Sequence, residues 1–172
     1  MPIKYEVSGD DDLSRQLKKL NGKKVNIGIV GKSDSLLLTY AAVNEYGANI
    51  KIPDDGRMRR KLAGMGLYLK KTTTHIVIPE RSYIRSTFDN KKVLKALENK
   101  IVPTAAKVAL GKLPAESILE YIGIYYTAAI KNTIANMREP ENHPFTVERK
   151  GSGKGLLIDS GRLLTAISYE VV

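Results

Sequence analysis

Apolar residues recur along this chain at two different spacings, and the changes of spacing divide it into elements. From Lys24 to Val30 apolar and polar positions alternate, which puts Val25, Ile27 and Ile29 on one face of a strand. Before it, Leu13, Leu17 and Leu20 fall at i, i+4 and i+7, one face of a short helix opened by Asp10-Asp11-Asp12 and closed by Asn21-Gly22. Carboxylates suit a helix start because they accept its free amides and oppose the positive end of its dipole. Ile3 to Val7 predicts an opening strand. Ser33-Asp34-Ser35 offers caps for a helix from Leu36 to Tyr46, with Gly47 as its left-handed C-cap. Asn49 to Ile52 and Ile76 to Ile78 predict two more strands. Pro79 ends the second and leads into a helix carrying Ile84, Phe88, Leu94, Leu97 and Ile101, which Pro103 kinks or divides because it lacks an amide donor.

The strongest periodicity lies beyond Gly111. Pro114 suits a first helical turn, and Ile118, Ile122, Tyr125, Tyr126, Ala129, Ile130, Thr133, Ile134 and Met137 recur at helical spacing, so a long buried helix is predicted near 114–139. Glu139 to Pro144 ends it, and Ala166 to Val171 predicts a terminal strand. The expected fold class is α+β, a mainly antiparallel sheet packed against helices. It reads as a single domain over 1–172, with a loop at 140–155 and a flexible basic insertion at 53–74, where Arg57, Arg59, Arg60 and Lys61 surround a helical turn loosened by Gly64 and Gly66, and Leu67-Tyr68-Leu69 suggests a further strand.

Composition narrows the function classes. The chain has 172 residues and no cysteine, which excludes disulfides, thiolate metal sites and cysteine nucleophiles. Its two histidines, His75 in a strand and His143 in the 140–155 loop, lack a second histidine at helical spacing, so no metal or other cofactor is expected. No apolar run reaches the roughly 18 residues that span a bilayer, and the first residues lack a signal peptide's basic and apolar regions, so the cytoplasm of the producing cell is expected. Lys and Arg number 28 against 18 Asp and Glu, a formal charge of +10 that favours an acidic partner, either nucleic acid or protein.

Local motifs for catalysis are weak. Gly31-Lys32-Ser33 imitates the end of a phosphate-binding loop, but Asn26 stands where its first glycine belongs and strand-like alternation runs to Val30. Lys150 to Gly155 could hold an anion or form a flexible loop, and no carboxylate pair or serine elbow marks a hydrolase. Arg57, Arg59, Arg60 and Lys61 place four cations in five residues, a candidate interface as well as a solvated loop.

Three separated stretches say more. They are Ala41-Ala42-Val43-Asn44-Glu45-Tyr46-Gly47, then Ile78-Pro79-Glu80-Arg81-Ser82-Tyr83-Ile84-Arg85, then Leu157-Ile158-Asp159-Ser160-Gly161-Arg162-Leu163 followed by Ala166-Ile167-Ser168-Tyr169. In that order they resemble the virion-morphogenesis, or tail-completion, proteins of tailed bacteriophages, including the Mu-like prophage family. Glu45, Tyr46 and Gly47 match a Glu-aromatic-Gly helix end; Ile78, Pro79, Arg81, Tyr83 and Ile84 match an Ile-Pro-x-Arg-Pro-Phe-hydrophobic pattern, with Ser82 in place of its second proline; Asp159 and Gly161 match an Asp-Ser-Gly turn. The resemblance implies a non-enzymatic structural protein of the virion neck or tail end, present in host cytoplasm before assembly. It would complete the tail or join it to the head as a homo-oligomeric ring beside other neck or tail proteins, with DNA contact through basic surface as an alternative partner. A tail terminator and a non-enzymatic nucleic-acid-binding protein are the other readings. On physical grounds the matched residues read as structural: Gly47 and Gly161 permit tight turns, Pro79 fixes chain direction and Asp159 caps local amides.

Overall fold

A computed structural model describes residues 10–31, 34–151 and 153–172. The elements in chain order are α1 (Asp10–Leu20), β1 (Val25–Ile29), α2 (Ser35–Tyr46), β2 (Ala48–Lys51), α3 (Arg57–Gly64), β3 (His75–Ile78), α4 (Arg85–Phe88), α5 (Lys91–Ala109), α6 (Glu116–Asn136), α7 (Pro144–Lys150), α8 (Arg162–Ala166) and β4 (Ile167–Val171). The fold class is α+β, with small antiparallel sheets packed against helices and a long helix, α6, inside the predicted 114–139 span. The strand expected over Ile3 to Val7 lies outside the described residues. By their contacts the described residues fall into two compact units, one within 1–31, 87–130 and 167–172, the other within 32–86 and 131–166.

In the first unit β1 pairs antiparallel with β4, Val25 opposite Val171 and Ile29 opposite Ile167. The ladder continues one step further through reciprocal amide bonds between Lys24 and Val172. Leu97, Val108, Ala115, Tyr126, Ile130 and Ile167 are buried. Phe88 stacks on Tyr126 with ring centroids 4.3 Å apart, and Tyr125 meets Tyr126 edge-on at 5.9 Å. The Tyr125 hydroxyl donates to the Val93 carbonyl at 3.0 Å, so a mostly apolar stripe on α6 also satisfies its polar tip.

The second unit pairs β2 with β3 antiparallel, Ala48 opposite Ile78 and Lys51 opposite His75. Around this ribbon lie α2, α3, α7 and α8, together with the last turns of α6, where Ile134 is buried.

Several expectations need correction. Pro103 sits inside α5 without dividing it. Pro103 is exposed, as is Asn99 one turn earlier, whose carbonyl loses its donor, so the proline falls where solvent can replace what it removes. The break falls earlier, where Asn90 caps α5 by accepting the Lys92 amide at 2.9 Å and leaves α4 as one turn. Within the basic insertion the helical turn around Arg57 to Lys61 is present, extended to 57–64 as α3, but Leu67 to Leu69 form no strand. Within the expected loop, Pro144 and the His143 cap start α7, because proline suits a helix's first turn and the imidazole Nδ1 accepts the Phe145 amide. A short helix, α8, intervenes between the Asp159–Gly161 turn and β4.

Candidate functional site

All three resemblance stretches that precede β4 lie in the second unit, and α2 is the element they share. At its N-terminus Asp34 accepts the Leu36 amide at 3.0 Å and the Arg162 guanidinium at 2.8 Å. The amide bond, with Arg162 second, holds the Asp34 carboxyl below its ordinary range.

At the other end Glu45 is 4% exposed and is α2's single charged residue. A carboxylate at a helix C-terminus opposes that helix's own dipole, so it needs compensation from elsewhere. The compensation comes from the second stretch. The amides of Tyr83, Ile84 and Arg85 donate to Glu45 at 2.8, 2.9 and 3.0 Å, Ser82 Oγ at 2.9 Å and Arg85 Nε at 3.2 Å. Burial alone pushes the Glu45 carboxyl up, but the amides and the serine hydroxyl together hold it below its ordinary value. Glu45 thus caps the approach to α4. An ionised carboxylate so fully occupied is not a base available for proton transfer near neutrality.

The neighbouring matched residues hold backbone in the same way. Arg81 is 5% exposed and donates from Nε to the Pro140 carbonyl at 2.8 Å and from Nη2 to the Glu141 carbonyl at 2.9 Å. Burial lowers its pKa. Its amide donates to the Asn44 carbonyl at 2.7 Å, tying the second stretch to α2 a further time. Tyr83 is buried with its hydroxyl 3.3 Å from the Ala41 carbonyl, and burial, with Glu45 and Tyr46 nearby, pushes that phenol upward. The Arg85 guanidinium lies 4.6 Å from the Tyr46 ring centroid.

Gly47 departs from the left-handed cap expected of it. Its φ of 71° comes with a ψ of 173°, an extended positive-φ conformation confined to glycine. A Cβ there would also stand 3.0 Å from both the Glu80 nitrogen and the Ile78 carbonyl oxygen. This is how Ile78 and Pro79, on either side of that carbonyl, come against the helix end.

The third stretch lines one side of a cleft of ≈ 430 Å³ whose other side includes Leu37, Tyr40 and Asn44 of α2. Gly161 has φ 79°, as a tight turn requires. Asp159 takes Lys154 Nζ at 3.1 Å, an ion pair in place of the expected amide cap. Lys150, a candidate anion ligand, donates instead to the carbonyls of Gly155 and Leu156, both at 2.8 Å.

The basic cluster divides into two roles. Arg57, Arg60 and Lys61 are exposed on α3, whereas Arg59 turns inward and donates to the carbonyls of Lys70, Lys71 and Thr73. Sequence reasoning grouped the four together and missed this division; it offered Asp34 as a helix cap but not its bond to Arg162, and it missed Ser82 and Arg85 as anchors. The spacing of 57–61 suggested a helical turn, but Gly64 and Gly66 obscured which of its positions turn inward. Among the described residues no group of three acidic or histidine side chains could hold a metal ion. Residues 25–29, where a phosphate loop would have to begin, are strand.

Comparisons with family models, with curated proteins and with solved structures return no match.

Proposed function

We propose that this chain is a structural protein of a tailed-phage virion, acting at the neck or tail end to complete the tail or join it to the head as a ring of copies. The observation that supports this reading best is the surface of α2. Leu36, Leu38 and Tyr40 are 59%, 44% and 61% exposed, and the helix's single charge, Glu45, is buried at its C-terminal end. A helix apolar on all sides ordinarily lies inside a protein, so this one is shaped to be covered by a neighbour. The anchors agree with such a role. Asp34 and Glu45 fix α2 at both ends, which presents its exposed side chains on a rigid support and limits the ordering entropy lost on association. In this reading the resemblance residues serve as scaffold, and the surface they support makes the contacts.

Removing the gene from a producing phage tests the proposal. Electron microscopy should show filled heads beside unjoined or unstable tails. Normal yields of joined, infectious particles would contradict it.

A further inference from the structure

Charge on this chain is concentrated. From Gly56 to Pro79 there are six Lys and Arg residues and no Asp or Glu, against a net formal charge of +10 for the whole sequence. The fold arranges them. At 100° per residue, Arg57, Arg60, Lys61 and Gly64 occupy an arc of about 100° on α3. These four are its exposed positions, while Met58, Arg59, Leu62 and Ala63 turn inward. The outward arc is therefore cationic except at Gly64, where the absence of a side chain lets another backbone approach closely. One acid tempers it: Asp55 lies 3.3 Å from Arg57 and its Oδ1 accepts the Arg57 amide.

Directly after α3 the chain displays Tyr68, 80% exposed. It is held on both sides. The Leu67 amide donates to the Leu62 carbonyl at 2.9 Å, and Arg59 Nη1 donates to the Lys70 carbonyl at 3.0 Å, with further bonds to Lys71 and Thr73. A fixed, outward aromatic ring followed by exposed Lys70, Lys71 and Thr72 is an unusual use of surface, because a solvated basic loop needs neither the ring nor the staple.

We infer that α3 and the turn after it form a binding surface for single-stranded nucleic acid, with Arg57, Arg60, Lys61, Lys70 and Lys71 meeting phosphates and Tyr68 stacking on a base. Cations alone would serve an acidic protein equally; an outward ring set among phosphate-binding cations is the pairing that single-stranded binding uses, in which unpaired bases stack on the ring while the cations track the backbone. Arg59 is a positioning residue in this surface. The inference stands independently of the assembly role proposed above.

The test is fluorescence anisotropy of the full chain with a labelled single strand of about 20 nucleotides and with the matching duplex, across roughly 50 to 200 mM salt. The single strand should bind more tightly than the duplex, with affinity falling steeply as salt rises. Arg57→Gln/Arg60→Gln/Lys61→Gln should weaken binding at least about tenfold and reduce the salt slope by about 2, three contacts at roughly 0.7 each. Tyr68→Ala should weaken it by about tenfold with the slope unchanged, and Tyr68→Trp should restore it. Lys91→Gln/Lys92→Gln/Lys95→Gln removes the same charge from exposed positions on α5 and should change affinity by less than about threefold, with all melting temperatures matched. Tighter binding to duplex, no effect of Tyr68→Ala, equal losses from the α3 and α5 variants, or comparable binding of poly-glutamate would each overturn the inference.

Discussion

Tyr169 on β4 lies so close over Gly123 on α6 that a Cβ at position 123 would stand 2.2 Å from its Cδ2 and 2.5 Å from its Cγ. The ring cannot swing away freely, because its hydroxyl donates to Glu120 Oε2 at 2.7 Å. A glycine inside a helix ordinarily weakens it relative to alanine, so Gly123 is there to let the ring approach. Gly123→Ala should therefore destabilise the protein by about 1 to 3 kcal/mol despite its better helix propensity. Thermal melting checks this, and a raised melting temperature would mean that the ring has another place to go.

The Glu45 cluster predicts a pH dependence. Its carboxyl is held below its ordinary value of 4.5 in the folded chain. A depressed folded value means that the unfolded chain binds the proton first, so the stabilisation is complete above the unfolded pKa and lost as pH falls through the folded one. Melting temperature should thus drop on acidification below about pH 4.5. Glu45→Gln should be less stable at pH 7 and show a smaller acid-induced drop. Glu45→Ala, which strands three amides, should lose on the order of 2 to 4 kcal/mol at pH 7.

Two positive-φ glycines separate backbone strain from crowding. Around Gly161 a Cβ would meet nothing within 4 Å, whereas at Gly47 it would meet backbone at 3.0 Å. Gly161→Ala should cost about 1 kcal/mol and Gly161→Val on the order of 1 to 3, from conformation alone. Gly47→Ala should cost more than Gly161→Ala, because neither Ile78 nor Glu80 can retreat without disturbing the β2–β3 ribbon. Equal melting temperatures for the two alanine variants would contradict this ranking.

What could be read in the sequence was periodic or local. The α6 stripe from Ile118 to Ile134 followed from spacing because a buried face imposes it directly, and the alternation of Val25, Ile27 and Ile29 located β1, although these three are half-buried and Gly28 between them is the buried position. The Glu45 cap could be assigned to structure in general but not in its chemistry, since its partner amides lie 38 to 40 residues away and a glutamate at a helix end carries no mark of burial. Arg59 was seen only as a cation, because the carbonyls that bind it come 11 to 14 residues later and are backbone groups common to every residue. Pro103 misled for a related reason: the penalty for an internal proline depends on whether the orphaned carbonyl reaches water, which spacing does not encode. The exposure of Leu36, Leu38 and Tyr40 on α2 was not legible, because a helix apolar on all sides has no polar face to show which residues meet solvent.

Arg81 gives a prediction about shape more than charge. Two carbonyls from one turn receive two different guanidinium nitrogens, a fork that lysine cannot copy. Arg81→Lys should keep the charge and still lose about 0.5 to 1.5 kcal/mol in chemical denaturation, by giving up one of the two carbonyl bonds. A denaturation midpoint equal to that of the parent would mean that water replaces the missing donor.

The proposed joining of virion parts through the exposed apolar side chains of α2 is tested most directly by complementation. A phage lacking the gene is supplied with Leu36→Ser/Leu38→Ser/Tyr40→Ser, whose isolated protein should melt within a few degrees of the parent because these side chains are already about half exposed or more. Electron micrographs should then show as few joined particles as the deletion itself. Joined particles at the level restored by the parent chain would contradict the claim.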